Sequence, residues 1–414
     1  MPLARRHRWA RQALAACFAV ALLLAPAAQG QAPAAQSAQS PTPARLVAIA
    51  DVHGAYPQFV ALLQSARLID TKLKWIGGPA VLVQTGDVID RGAQSRECLD
   101  LLMALEPQAR KKGGQVIPLL GNHEVMNLMG QLGYVTPEIY KSFTKGDSEK
   151  KRQKAYADYL KFFAAHAGHS HSAIPPVDEA GRAKWMDEHP AGFVEHRDAF
   201  GPKGKYGKWI RTHHAVVQIG DGVFLHGGLS PAFEIPGIRQ LDERVMAELV
   251  GFDAMWQTLV DGKVIWRYMT YAEADTFARE ETAWLRGAGG AAAPAVDAAM
   301  QRLLDINKWM VASFPEGPLW YRGLAEEPEE TLIDKLTAML AHLRLQYIVV
   351  GHTPQSNGEI TPRFGSHVFL IDTGMLSQVY LGGRATALEI QNGRFTALSV
   401  DRAAVELPAP MTAK

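Results

Sequence analysis

The chain has 414 residues, of which 47% are hydrophobic, and its formal net charge is +1. This length allows two or three average domains, although many large α/β enzymes of this length form only one. A charge so close to zero excludes the broad basic surface typical of nucleic-acid-binding proteins, but it is compatible with a local basic pocket for a phosphate group.

Residues 1–30 have the pattern of a secretion signal peptide. Four arginines precede an apolar run over residues 13–25, and small residues at 27–30 offer cleavage sites. The run is too short to span a membrane comfortably. We therefore expect secretion across an inner membrane into the periplasm, with no stable membrane anchor after cleavage. Residues 31–44, rich in Ala, Gln, Ser and Pro, predict a flexible leader.

Three polar motifs each follow an apolar run that predicts a β-strand. The runs at residues 46–50, 80–85 and 116–120 lead into Asp51-Val52-His53-Gly54, Gly86-Asp87-Val88-Ile89-Asp90-Arg91-Gly92 and Gly121-Asn122-His123-Glu124. Residues 58–68 and 95–105 predict the intervening helices, so the strands are expected to form βαβ units. Because active sites of α/β sheets lie at the carboxyl ends of the strands, we expect these motifs to meet there.

Two histidines downstream have the same context. His226 follows the predicted strand 223–225, and His352 follows the strand 348–350. A lone histidine after a strand is more often structural than a ligand, but two of them after three matching motifs favour ligands. Oxygen and nitrogen ligands suit Mn, Fe or Zn. Two such ions side by side can clamp a phosphate and activate water.

Two stretches interrupt the strand pattern. Residues 130–213 are expected to form a mainly helical insertion over the active site, with a packed insert away from the substrate as the alternative. A second helical insertion is predicted at 250–315. Further strands are predicted at 215–219, 347–350, 368–371, 385–390 and 395–399. The expected α/β catalytic domain, 45–402, has two facing mixed sheets flanked by helices, and 403–414 form a tail.

Longer motifs resemble those of the phosphoprotein phosphatase family, within the calcineurin-like metallophosphoesterases. The run Asp90-Arg91-Gly92-Ala93-Gln94-Ser95-Arg96-Glu97 is similar to the family's Asp-Arg-Gly-x-x-Ser-x-Glu, and residues 121–124 and 226–231 also match. Residues 121–127 and 371–375 resemble the bacterial Shewanella-like branch. The resemblance implies the calcineurin-like sandwich fold. One departure is Ala50, where the family usually has Gly.

The residues and this resemblance together predict the roles of the site. One of two divalent metal ions is expected on Asp51, His53 and Asp87, and Asp87 is expected to bridge to a second ion on Asn122, His226 and His352. A bridging hydroxide would attack phosphorus, His123 would protonate the leaving oxygen, and Asp90 would orient His123. The predicted phosphate clamp is Arg91 with Arg322, and Arg211 is a weaker candidate. Asp372 either supports a histidine ligand or initiates a turn.

The leading hypothesis is a phosphomonoesterase of the protein serine/threonine phosphatase type, acting on a phosphorylated protein, peptide or small phosphoester. A nucleotide or dinucleoside polyphosphate phosphatase on the same scaffold is the alternative. A catalytically inactive binding module is a third hypothesis, which the complete set of ligand residues disfavours.

Overall fold

In the computed structural model of the protein, residues 43–169, 178–288 and 292–411 are described. The predicted signal peptide and nearly all of the predicted leader lie outside these residues. The predictions of secretion and periplasmic location therefore stay predictions.

The first sheet has six strands and contains the first three motifs. The strands are β1 (Arg45–Ile49), β2 (Val81–Gln84), β3 (Gln115–Pro118), β9 (Thr386–Gln391), β10 (Arg394–Ser399) and β11 (Val405–Leu407). Their order in the sheet is β11–β10–β9–β1–β2–β3. β1, β2 and β3 are parallel, whereas β9, β10 and β11 join antiparallel. The aliphatic residues of β1 and β2 are buried, as expected for strands covered on both faces.

The second sheet has five strands and contains the two later histidine motifs. The strands are β4 (Val216–Ile219), β5 (Gly222–Leu225), β6 (Tyr347–Val350), β7 (Thr361–Arg363) and β8 (Val368–Leu370). Their order is β4–β5–β6–β8–β7. β5, β6 and β8 are parallel, whereas β4 pairs antiparallel with β5 and β7 pairs antiparallel with β8.

The two sheets face each other across a buried apolar layer. Phe369 of β8 stacks on Phe395 of β10, with ring centroids 4.8 Å apart. Leu46 and Val83 from the first sheet share this layer with Val349 from the second. Helices cover the outer faces, so the predicted sandwich of two mixed sheets is confirmed.

Helices supply the connections between strands and occupy most of the described residues in the two stretches that were predicted as insertions. Two of them link the first three strands, α1 (Tyr56–Ser65) and α2 (Ser95–Lys111). The next six are α3 (Asn122–Met129), α4 (Pro137–Ser142), α5 (Ser148–Ala165), α6 (Glu179–Glu188), α7 (Phe193–Phe200) and α8 (Lys205–Ile210). The later ones are α9 (Ile238–Asp261), α10 (Tyr271–Gly287), α11 (Pro294–Leu304), a 3₁₀ turn (Ile306–Lys308), α12 (Gly323–Glu326) and α13 (Glu329–Leu343).

The boundaries differ in places from the sequence prediction. α1 begins at Tyr56, ahead of the predicted residue 58, because Pro57 is well suited to the first helical turn. α9 begins already at Ile238, ahead of the second insertion predicted at 250–315. Within the described residues, no helix has both the length and the apolar character needed to cross a bilayer.

Candidate metal centre and active site

The motifs meet where parallel strands of both sheets end. Asp51 follows β1, Asp87 follows β2 and Asn122 opens α3 after β3, whereas His226 follows β5 and His352 follows β6. These side chains and that of His53 are all buried. Sites of this kind form at the carboxyl ends of strands, where successive loops turn away from the sheet.

The backbone of this region is unusually strained. His53, Asp87, Asp90, Arg91 and His352 all have positive φ angles, between 47° and 71°. Such conformations cost about 1–3 kcal/mol each in non-glycine residues and persist only where the surroundings hold them. Their concentration at one place is typical of a functional site.

One glycine, Gly121, and the carboxylate of Glu124 hold the Asp87 loop. A Cβ on Gly121 would lie 2.2 Å from Oδ1 of Asp87, so only glycine allows this approach. The Glu124 carboxylate accepts hydrogen bonds from the backbone N of Asp87 (2.7 Å), Val88 (2.9 Å) and Gly121 (2.9 Å). This role of Glu124 could not be predicted from the sequence, because its partners on the Asp87 loop are distant in the chain.

Asp87 lies at the centre of two groups of possible ligand atoms. One group is Asp87 with His53 and His123, and the other is Asp87 with His226 and His352. Within each group, the possible ligand atoms lie within 4.8 Å of one another. Oδ2 of Asp87 is 3.6 Å from Nε2 of His53 and 3.3 Å from Nε2 of His226.

The remaining two predicted ligands join these groups. Oδ2 of Asp51 is 3.7 Å from Nε2 of His53, and Oδ1 of Asn122 is 2.8 Å from Nε2 of His226. All six predicted ligands are therefore brought together. A position shared by both groups is what a bridging carboxylate requires.

The histidine rings are oriented by hydrogen bonds on their far side. Nδ1 of His53 lies 2.9 Å from the carbonyl oxygen of Ile89, and Nδ1 of His226 lies 2.9 Å from that of Thr85. This arrangement directs each Nε2 toward Asp87, as in many metal sites. Nε2 of buried His352 has no hydrogen-bond partner among the described residues. A divalent cation would give this atom the partner that it lacks, so the donor set fits metal ions.

The electrostatics fit a cation as well. Burial lowers the pKa of His53 to about 3 and that of His352 to about 2, so both imidazoles are neutral, as metal ligation requires.

Burial and the neighbouring Asp372 raise the pKa of Asp51 well above its ordinary value. Burial also opposes ionisation of Asp87, but the nearby His226 and His123 outweigh it and hold its pKa well below the usual range. The same carboxylates overcome the effect of burial on His226 and raise its pKa to about 9, so they favour positive charge at this place.

His123 and Asp90 form a buried pair beside these groups. Nδ1 of His123 is 2.8 Å from Oδ2 of Asp90, and Nε2 is 3.8 Å from Oδ2 of Asp87. Nδ2 of Asn127 donates to both Asp90 oxygens, at 3.0 and 2.9 Å. Burial lowers the pKa of His123, but Asp87 and Asp90 more than compensate, so that its pKa is raised. The orientation of His123 by Asp90 is the one that the sequence predicted.

Arg91 lies between two tyrosines that the sequence analysis did not identify. Its guanidinium carbon is 5.0 Å from the centre of the Tyr134 ring and 5.6 Å from that of Tyr380. Nη1 of Arg91 contacts the Tyr380 hydroxyl and lies 2.5 Å from Nε2 of His53. A sequence signal existed only for Tyr380, which closely follows the 371–375 motif.

The other candidate arginines have different surroundings. Nη1 of Arg322 donates to the carbonyl oxygen of His352 (2.6 Å) and to Oγ1 of Thr353 (3.2 Å), so Arg322 lies at the site. Arg211 instead makes a two-pronged ion pair with Asp253 of α9, at 2.6 and 2.7 Å. It is engaged in packing α8 against α9, so the weaker suggestion that it binds phosphate was wrong.

Asp372 is buried next to Asp51. Its charge contributes to the raised pKa of Asp51, and its Oδ1 accepts a hydrogen bond from Gly374 N at 3.0 Å. The turn interpretation thus has its hydrogen bond, and the support of a histidine ligand by Asp372 stays a prediction.

Comparisons with known proteins agree with this geometry. The family model described as calcineurin-like phosphoesterase matches residues 44–356. An uncharacterized protein of Schizosaccharomyces pombe is 27% identical over 84% of this chain and 78% of its own. Shewanella-like protein phosphatase 2 of Arabidopsis thaliana is 31% identical over 51% of this chain, and the match spans about half (53%) of that relative. The structure of a cold-active protein-tyrosine phosphatase of a psychrophilic Shewanella species superposes with a TM-score of 0.53 at 24% identity, covering 89% of this chain and 81% of that one.

Proposed function

Because this chain belongs to the calcineurin-like phosphoesterase family, we propose that it is a phosphomonoesterase of the phosphoprotein phosphatase type that depends on two divalent metal ions. The family membership confirms the resemblance inferred from the motifs. The observation that carries the proposal is the position of Asp87, which is shared by two buried groups of ligand atoms.

In this proposal Asp51, His53 and Asp87 hold one ion, and Asp87, Asn122, His226 and His352 hold the other. The oxygen and nitrogen donors suit Mn, Fe or Zn. When bound, the ions supply Lewis acidity toward the phosphate and lower the pKa of the attacking water.

His123 is proposed as the general acid and not as a further ligand. Nδ1 of His123 faces the carboxylate of Asp90, whereas Nδ1 of His53 and of His226 faces a backbone carbonyl. A carboxylate stabilises the protonated imidazolium more strongly than a neutral carbonyl does. During hydrolysis the water oxygen bonds to phosphorus as the bond from phosphorus to the leaving oxygen breaks, and His123 gives its proton to that leaving oxygen. The attacking water releases one proton to solvent, and His123 takes up a proton from solvent before the next turnover.

Arg91 and Arg322 are proposed to bind the phosphate oxygens from two sides. Arg91 adjoins His53 of the first group, and Arg322 adjoins His352 of the second. A guanidinium fits phosphate with two parallel hydrogen bonds. Nε2 of His53 accepts a hydrogen bond from the Arg91 guanidinium. Metal ligation by His53 would therefore release this guanidinium toward a substrate.

The proposed substrates are phosphoserine and phosphothreonine in proteins or peptides, in a periplasmic location. The Arabidopsis relative is named a protein phosphatase, which supports a protein substrate. The solved Shewanella enzyme is named a tyrosine phosphatase, so phosphotyrosine is the first alternative substrate to compare with phosphoserine and phosphothreonine. The periplasmic location is supported by the N-terminal sequence pattern.

The test is a panel of phosphoserine, phosphothreonine and phosphotyrosine peptides and nucleotides, assayed with metal-reconstituted protein. The same preparation treated with a chelator is the control. We expect chelator-sensitive turnover of the peptides. Turnover of nucleotides alone would favour the nucleotide phosphatase, and metal binding without any turnover would favour an inactive binding module.

A further inference from the structure

The loop between α3 and α4 presents one ring directly at the candidate active site. Tyr134 is 47% exposed, although its backbone is firmly held. Its carbonyl oxygen accepts a hydrogen bond from Arg91 N at 3.0 Å, and the next residue, Val135, is buried in the core. An exposed ring on an anchored backbone loses little conformational entropy when a ligand packs on it.

The Tyr134 ring contacts two residues of the proposed machinery. Its centre is 4.8 Å from that of the His123 ring, with the planes tilted by 59°, and 5.0 Å from the Arg91 guanidinium carbon. It therefore lies where the proposed proton donor and the proposed phosphate ligand meet.

The position of the proton donor indicates where the rest of the substrate lies. A general acid must come within hydrogen-bond distance of the leaving oxygen. Whatever group is attached to that oxygen then extends past His123, and the neighbouring surface is the Tyr134 ring. Tyr380, on the other side of Arg91, stacks with His53 at 6.1 Å and has no such relation to His123.

We propose that Tyr134 forms the leaving-group subsite, the surface on which the group esterified to phosphate packs during hydrolysis. This inference rests on the proposed function. Tyr134 is thus a specificity-determining residue. A flat leaving group gains most from it, because aromatic rings that pack against each other gain stabilisation beyond their buried area.

The test compares an aryl ester, 4-nitrophenyl phosphate, with a small alkyl ester, glycerol 3-phosphate. Both are assayed with the metal-reconstituted parent, Tyr134→Ala and Tyr134→Phe. We expect Tyr134→Ala to raise KM for the aryl ester roughly 3- to 10-fold and KM for the alkyl ester by less than about twofold. Tyr134→Phe keeps the ring face and should resemble the parent. Ile76→Ala, an exposed apolar residue that precedes β2 at the opposite end from Asp87, is the control.

Inhibition by inorganic phosphate distinguishes the subsite from mere support of Arg91. We expect the inhibition constant to change by less than about twofold in Tyr134→Ala, because phosphate has no leaving group. An increase in that constant that parallels the increase in KM, or equal effects on both esters, would overturn the subsite. A parent that hydrolyses neither ester contradicts the proposed function and the subsite with it, whereas an active parent with unchanged Tyr134→Ala overturns the subsite alone.

Discussion

The imidazole of His123 and the carboxylate of Asp90 are joined by a buried hydrogen bond of 2.8 Å between Nδ1 and Oδ2. Asp90 is in turn held by Asn127, which donates to both of its oxygens. This chain of contacts fixes the ring plane of His123 beside Asp87. It gives the proposed proton donor a carboxylate as the hydrogen-bond partner of Nδ1, whereas Nδ1 of His53 and Nδ1 of His226 are hydrogen-bonded to backbone carbonyls.

Replacing His123 should produce a loss of activity that depends on the leaving group. We expect His123→Asn to keep both metals but to slow turnover of a phosphoserine peptide by about 10²–10⁴-fold, the usual contribution of general acid catalysis. A nitrophenyl ester leaves as a stable anion and should be affected much less. Asp90→Asn should show the same selectivity more weakly.

The measurement is kcat for both esters at saturating Mn, together with metal content. An equal loss on the two esters with metals retained would mean that His123 positions the phosphate and donates no proton.

Asn127→Ala removes the donor that holds Asp90. Asn127 is fully buried, and its Nδ2 also donates to the carbonyl oxygen of His123 at 2.9 Å. We expect kcat on the phosphoserine peptide to fall about tenfold with little change in KM, since hydrogen bonds to charged groups contribute about 1.5–3 kcal/mol. Asn307→Ala, at an exposed position, is the control. Wild-type kcat in Asn127→Ala would show that Asp90 keeps its position without this donor.

Arg322→Ala should weaken phosphate binding and leave the metals in place. Loss of one charge-assisted contact predicts an inhibition constant for free phosphate about 10- to 100-fold higher. Arg239→Ala, which removes an exposed arginine paired with Glu243, is the matched control. Equal inhibition of Arg322→Ala and the parent would remove Arg322 from the site.

Tyr380→Phe tests the support of Arg91. The change removes the hydroxyl that contacts Arg91 and keeps the ring beside it. We expect the inhibition constant for phosphate to rise about 3- to 10-fold, because one hydrogen bond contributes about 1 kcal/mol. Tyr156→Phe, on α5, serves as the comparison. The support role would be refuted by unchanged inhibition in a Tyr380→Phe variant of normal metal content.

The central parts of the fold and site could be predicted because they are local in sequence. Asp51, Asp87 and Asn122 each follow an apolar strand directly, so strand pattern and motif together place them at one edge of a sheet. His226 and His352 follow strands of the second sheet in the same way.

The supporting contacts could not be predicted because they join distant parts of the chain. Tyr380 lies 289 residues from Arg91, and nothing in either local sequence indicates the other. Arg211 was misjudged for the same reason, since its partner Asp253 lies on α9, 42 residues away. The second insertion was predicted to begin too late in the chain, since the buried apolar face of α9 already begins at Ile238, upstream of residue 250.

The most direct test of the account is metal content and turnover measured on the same preparations of the parent, Asp87→Asn and His352→Asn. We expect two divalent ions per parent chain, and activity that disappears with a chelator and returns with Mn. We also expect a larger loss of both metal and turnover in Asp87→Asn than in His352→Asn, because Asp87 would contact both ions. An Asp87→Asn protein that keeps both ions and near-normal turnover would contradict it.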